Sequence, residues 1–249
     1  MRPSRAVLLG LTLATSLTVG AAAGEAGGDT QAAATAKQPR PGIEFDPIPY
    51  GHARKRQMAG YSERHYGRRA WRLNRRQMRA IVLHYTAGPS YGSAWSTFAS
   101  NAPALGERPG VCAQFVVDKD GTIYQLTRLT VRCRHAIGIN NRSLGVEMVQ
   151  EDLGSSTATA QAILARRTQA NAAVRLVSWL KQRYRVRMRN VIGHAMVNDS
   201  PLFEDLAGWR NDHSDWLPKP VHKFRKRLNR HLHGRGPAGP DAKARGTTG

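Results

Sequence analysis

The chain has 249 residues, two cysteines, 41% apolar residues and a formal net charge of +21. That apolar share is enough for a buried core, and the patterned region fits one domain of about 140 to 170 residues with flanking extensions. The charge is uneven: residues 52–79 carry +9 and 217–249 carry +8, whereas 80–216 carry only +4. A nearly balanced centre therefore lies between cationic flanks.

Residues 1–23 read as a secretory signal: Arg2 and Arg5, an apolar run from Ala6 to Val19, then Ala21-Ala22-Ala23 as a small-residue cleavage site. A membrane span is the competing reading of that run and is disfavoured because Thr, Ser and Gly dilute it and no basic cluster follows it; none is expected once the signal is removed. Cationic flanks suggest nucleic acid. An exported chain meets anionic wall polymers first, so those are the expected partners of the flanks, and nucleic acid is not. Export also permits a disulfide between Cys112 and Cys133.

Residues 24–51 read as a flexible linker whose Pro-rich end, from Pro41 to Tyr50, is extended. Residues 52–79 form a basic extension with a helix over Ala53–Tyr66 that ends at Gly67. Ile81-Val82-Leu83-His84 is a short apolar run that breaks at a polar residue, as a strand does where it reaches the edge of a buried sheet. Gly92–Asn101 suggests a short helix. Ala113 to Leu126 reads as strand, Asp120-Gly121 turn, strand. Ser143-Leu144-Gly145-Val146-Glu147 is a second buried strand; alternation lets Glu147 share an open face with His84, and Gly145 leaves room there for a substrate. One long helix is expected from Ser156 to Tyr184, with Ile163, Ala170, Val174 and Val177 inward. Arg187–Ile192 returns as a strand that delivers His194. Val221, Phe224, Leu228 and Leu232 form an amphipathic stripe within 217–234, and 235–249 is a polar, Gly/Pro-rich tail.

His84, Glu147, His194 and the run Arg210-Asn211-Asp212-His213-Ser214-Asp215-Trp216 are the chemistry-bearing positions. Two imidazoles and one carboxylate give Zn²⁺ three protein ligands and leave a fourth position for water, as a catalytic zinc requires.

These pieces, in this order, resemble the zinc-dependent N-acetylmuramoyl-L-alanine amidases of the amidase-2 family, which share a fold with peptidoglycan-recognition proteins. The likeness runs from about Ile81 to Trp216. It includes the hairpin Ala113-Gln114-Phe115-Val116-Val117-Asp118-Lys119-Asp120-Gly121-Thr122-Ile123-Tyr124-Gln125-Leu126, and His135-Ala136 followed by Asn140-Asn141-Arg142-Ser143-Leu144-Gly145-Val146-Glu147. It implies an α/β single domain, a central mixed β-sheet flanked by helices, spanning 80–216. The implied activity is hydrolysis of the amide joining N-acetylmuramic acid to the L-alanine of the peptidoglycan stem peptide. A non-catalytic peptidoglycan-binding protein of the same fold is the alternative.

Carried over by position, the resemblance makes His84, His194 and Asp212 the Zn²⁺ ligands, since the family's third ligand stands two residues after a basic residue, here Arg210. Glu147 becomes the general base and Arg210 the stabiliser of the oxyanion. His135 is expected to line the glycan or peptide groove. The stretch from His194 to Asp212 is longer than the family's, which leaves His213 and Asp215 open as third ligands, and Ala113 stands where phage members carry a tyrosine.

Overall fold

The computed structural model describes residues 37–234. The expected signal peptide, the first part of the linker and the tail 235–249 lie outside the described residues. Six strands form one mixed sheet: β1 (Glu44–Phe45), β2 (Ala80–Ala87), β3 (Phe115–Val117), β4 (Ile123–Gln125), β5 (Ser143–Glu151) and β6 (Val191–Gly193), in spatial order β1-β4-β3-β5-β2-β6. Only β3 and β4 pair antiparallel, as the hairpin requires, and Gly121 takes the left-handed conformation of its turn at φ 91°. Five helices surround the sheet: α1 (His52–Tyr66), α2 (Tyr91–Ser100), α3 (Ser156–Ala165), α4 (Arg167–Tyr184) and α5 (Pro218–Leu232).

Alternation along the two central strands divides the core. Ile81 and Leu83 of β2 and Leu144, Val146 and Met148 of β5 face a layer built from Leu176, Val177 and Leu180 of α4 with Val221, Phe224 and Leu228 of α5. The opposite face carries Val82, with Ile139, Ile192 and Val197, and Val116 with Ala94, Phe98 and both cysteines. Residues His84 and Glu147 follow this second alternation. Because the parallel strands are covered on both faces, eight of the nine β5 positions are buried.

The flanks belong to this body. Residues from 37 onward are not a free linker: β1 pairs with β4, the Ile48 amide donates to the Leu126 carbonyl, and Ile48 is buried. The α1 helix ends at Gly67, φ 66°, and buries Met58 and Tyr61. The α5 helix, opened by Pro218 in its first turn, buries Val221, Phe224, Leu228 and Leu232, each worth roughly 1.5–3 kcal/mol. The basic residues of α5 are thus the wet side of a helix whose other side completes the core.

The single helix expected over Ser156 to Tyr184 is two. Arg166 leaves the helical region at φ −75°, ψ 90°, and its guanidinium donates to the side-chain oxygens of Gln150 and Gln169. Buried Gln169 in turn donates to the carbonyls of Val117 and Val149, which links the break to the ends of β3 and β5. The strand expected over Arg187–Ile192 is shorter: Met188–Asn190 is a 3-10 turn, and β6 pairs with β2 only from Val191.

Cys112 and Cys133 are disulfide-bonded. The bridge closes a loop over a sequence separation of 21, and removing that freedom from the unfolded chain is worth about 3 kcal/mol. It ties the start of the hairpin segment to the strand-like stretch that leads into His135.

Candidate metal centre and groove

His84 lies deep in β2, in register with Glu147 of β5, so neighbouring parallel strands present the two side chains together. His194 follows β6, which pairs with the other edge of β2. Three elements of one sheet therefore deliver an imidazole, a carboxyl and an imidazole to one place. They line a groove of about 610 Å³ together with residues of α2 and the segment 212–215.

The carboxylate that completes the cluster is Asp215. His84 Nδ1 and His194 Nδ1 lie 3.1 Å apart, and Asp215 is 3.1 Å from the first and 3.0 Å from the second. All three residues are buried, and their ligand atoms lie within 4.8 Å of one another. Asp212, the residue expected in this role, is outside the group; its side chain is 80% exposed and lies 3.7 Å from His213 Nε2.

The reason is the anchoring of the next residue. Trp216 is fully buried, packs edge-on against Phe224 of α5, and donates its indole N–H to the His84 carbonyl. Its backbone crosses β6 so closely that a Cβ at Gly193 would lie 1.8 Å from the Trp216 carbonyl oxygen. The Ala195 amide donates to the Asp215 carbonyl at 2.9 Å. With Trp216 locked into the core beside Gly193, the side chain that reaches His194 is Asp215, and Asp212 stays exposed at the edge of the groove.

The chemistry of the donor set fits a metal ion. Asn211 donates its side-chain amide to the Ile137 carbonyl and to Asn198 Oδ1, so the atom it offers His194 Nε2, 2.9 Å away, is its oxygen. His194 Nε2 must then carry the ring proton. Its Nδ1 points an electron pair at His84 Nδ1 and a carboxylate, an arrangement that wants a cation. Burial lowers the His84 pKa to about 4, against the raising effect of the Asp215 carboxylate beside it. Burial would raise the Asp215 pKa, but the two imidazoles beside it hold it below its ordinary value. A neutral His84 imidazole and an ionised Asp215 carboxylate are the protonation states metal ligation requires.

Glu147 is also buried, and its Oε2 has no hydrogen-bond partner. Burial first, and then the negative charge of Asp215, push its pKa well above the ordinary carboxylate range. A carboxyl whose neutral form is favoured in this way, beside a groove, is equipped to hold and return a proton.

Two further expectations are corrected. Arg210 is not in the groove: it is exposed, donates to the Asn198 carbonyl at 3.2 Å, and stacks over the Phe203 ring. The basic side chain at the cluster is His213, whose ring stacks on His194 with centroids 4.6 Å apart. The rule that the third ligand stands two residues after a basic residue points to His213 once Asp215 is that ligand. Gly145 does not leave room for substrate either; a Cβ there would lie 2.9 Å from His135 Cγ, so the space belongs to the His135 ring. His135 is buried beneath His84, its Nδ1 3.1 Å from His84 Nε2.

A family model described as N-acetylmuramoyl-L-alanine amidase matches residues 74–215. A search of curated proteins finds no match. Solved structures similar to the chain include the endolysin amidase LysCS from Clostridium intestinale, 17% identical, covering 77% of this chain and 98% of that one with a TM-score of 0.48. They also include hydrolase AmiA of Staphylococcus aureus, 14% identical, covering 80% and 88% with a TM-score of 0.48, and a mutant endolysin from Bacillus subtilis, 18% identical, covering 78% and 99% with a TM-score of 0.42. The family match spans more than half of the chain and ends at Asp215, the carboxylate of the cluster; the chain belongs to the amidase-2 family of N-acetylmuramoyl-L-alanine amidases.

Proposed function

We propose that the chain is an exported, zinc-dependent peptidoglycan amidase that hydrolyses the bond between the lactyl group of N-acetylmuramic acid and the L-alanine of the stem peptide. The observation that carries the zinc reading is the convergence of His84 Nδ1, His194 Nδ1 and the Asp215 carboxylate, all buried, in the floor of the groove. A zinc ion held there would supply Lewis acidity, lowering the pKa of water and polarising the scissile carbonyl. The complete donor set favours hydrolysis over binding alone. Export is supported by the signal pattern of residues 1–23 and by the disulfide.

Glu147 moves the proton. Burial and the Asp215 charge raise its pKa, and a cation held in the adjoining cluster would favour its ionised form, bringing it toward the working range of a general base. It takes the proton of the attacking water and returns it to the leaving amine. His213, at the rim beside His194, is placed to donate to the oxyanion in the role expected of Arg210. The exposed α5 residues Lys219, Lys223, Lys226 and Arg230 concentrate the enzyme on anionic wall polymers by their field.

Asp215→Ala and His84→Ala each lose stoichiometric zinc, measured by elemental analysis, and activity on muropeptides, whereas Asp212→Ala keeps both; loss of zinc from Asp212→Ala alone contradicts the ligand set. Glu147→Gln keeps zinc but lowers turnover by about 10²-fold or more.

The same Glu147→Gln substitution stabilises the metal-free fold at neutral pH. Because the folded pKa of Glu147 lies above the unfolded value, its contribution is favourable at low pH and is lost as pH rises beyond the unfolded pKa. Gln does not titrate. Denaturation should therefore show the variant more stable than wild type at pH 7 and the gain disappearing near pH 4; equal stability at both values contradicts the buried neutral carboxyl. Changing Lys219, Lys223, Lys226 and Arg230 to Gln should weaken wall binding at low salt, the difference fading as salt is raised, with turnover of a soluble muropeptide unchanged. Undiminished binding at low salt removes the anchoring role.

A further inference from the structure

We propose that His135 and Ser143 are positioning residues that fix the ring proton of His84 on Nε2, so that its Nδ1 electron pair is free for the metal. The inference rests on the zinc reading of the His84, His194 and Asp215 cluster and assigns to its neighbours a role that the proton chemistry does not use.

The chain of donors can be followed from a group that has no choice. The Ile139 carbonyl only accepts, and Ser143 Oγ lies 2.8 Å from it, so the hydroxyl proton is committed there. Ser143 Oγ then has only electron pairs to offer His135 Nε2 at 3.2 Å, which makes that nitrogen the N–H of its ring. His135 Nδ1 is left as an acceptor and faces His84 Nε2 at 3.1 Å. His84 Nε2 must donate, and the unprotonated atom of His84 is Nδ1, the one that faces His194 and Asp215.

The pocket is shaped around this chain. The side-chain oxygen of Asn140 accepts from the backbone amides of His135 and Ala136, both at 2.8 Å, and Asn140 donates to the Tyr61 hydroxyl of α1. Gly145 has no Cβ, and one there would strike the His135 ring; its amide is held by Gln114 Oε1 at 2.7 Å. Ser143, Gly145 and Glu147 are alternate residues of β5 and so share one face of the strand. One strand thus carries the hydroxyl that ends the chain, the gap that admits the ring, and the carboxyl that moves the proton. Both nitrogens of His135 are engaged, so its ring, although it lines the groove, has no free hydrogen-bonding atom to offer a substrate. His194 reaches the same Nε2-protonated state by a different device, the Asn211 amide.

The test uses the mature, metal-free chain labelled with ¹⁵N. Long-range ¹H–¹⁵N correlation should show both His84 and His135 protonated on Nε2. Ser143→Ala removes the acceptor of His135; the proton of each ring should then shift toward Nδ1, and zinc affinity, measured by chelator competition, should fall by about 10- to 100-fold. Ser143→Thr, which keeps the hydroxyl, should restore tautomer and affinity. A wild-type His84 protonated on Nδ1 overturns the proposal whatever the variants do, so it remains decidable even if Ser143→Ala fails to fold. Ser143→Ala with unchanged tautomers and zinc affinity overturns it as well. Failure of the wild type to bind zinc would overturn the zinc assignment instead, and the tautomer measurement on the metal-free protein would still decide this one.

Discussion

Three buried electron-pair donors that face one another are the constraint on which this structure turns. His84 Nδ1, His194 Nδ1 and the Asp215 carboxylate lie about 3 Å apart in a region shielded from water. Without a cation such a group is unfavourable, since acceptors repel and each has given up hydration. The fold tolerates it only because every member is held from behind. His84 is fixed by its strand and by the ring of His135, His194 by Asn211, and Asp215 by the burial of Trp216. The arrangement is therefore preorganised, and a metal gains affinity because the ligands need little ordering when it binds.

That preorganisation explains why segments outside the central sheet matter. The α1 helix supports the turn that carries His135 through the Tyr61–Asn140 contact, and Arg132 just before it donates to the Ser62 hydroxyl and to the carbonyls of Ala70 and Arg72. The α5 helix supplies Phe224, against which Trp216 packs. Arg134 donates to the carbonyls of Ala104, Glu107 and Pro109 and so shapes the loop beside the groove. Many of the cationic residues thus have a structural share: Arg54, Arg132 and Arg134 are buried and spend their donors on backbone carbonyls. Net charge alone overstates how much of the molecule is available to a polyanion.

Much of this was legible in the residues because it follows period and polarity. The apolar run that ends in His84, the alternation that puts Glu147 on the same face, and the stripe of Val221, Phe224 and Leu228 each reflect a local rule of strand or helix. What was not legible depends on contacts between distant segments. Asp212 and Asp215 are equivalent by spacing from a basic residue, since Arg210 precedes one and His213 the other. They differ only because Trp216 is a core residue that passes Gly193. The adjacency of Asp215 to a tryptophan was the available signal, and a large apolar residue next to a candidate ligand is what fixes its direction. Gly145 misled for a related reason: a missing Cβ shows that something approaches, and only the fold shows that it is His135.

The most direct test of the account is a crystal structure of the zinc-loaded chain with anomalous data at the zinc edge. The account predicts one zinc bound by His84 Nδ1 and His194 Nδ1 at about 2.0–2.1 Å and by an Asp215 oxygen at about 2.0–2.2 Å, with Asp212 outside the coordination sphere. Zinc bound through Nε2 of either histidine, or through Asp212 in place of Asp215, would contradict it.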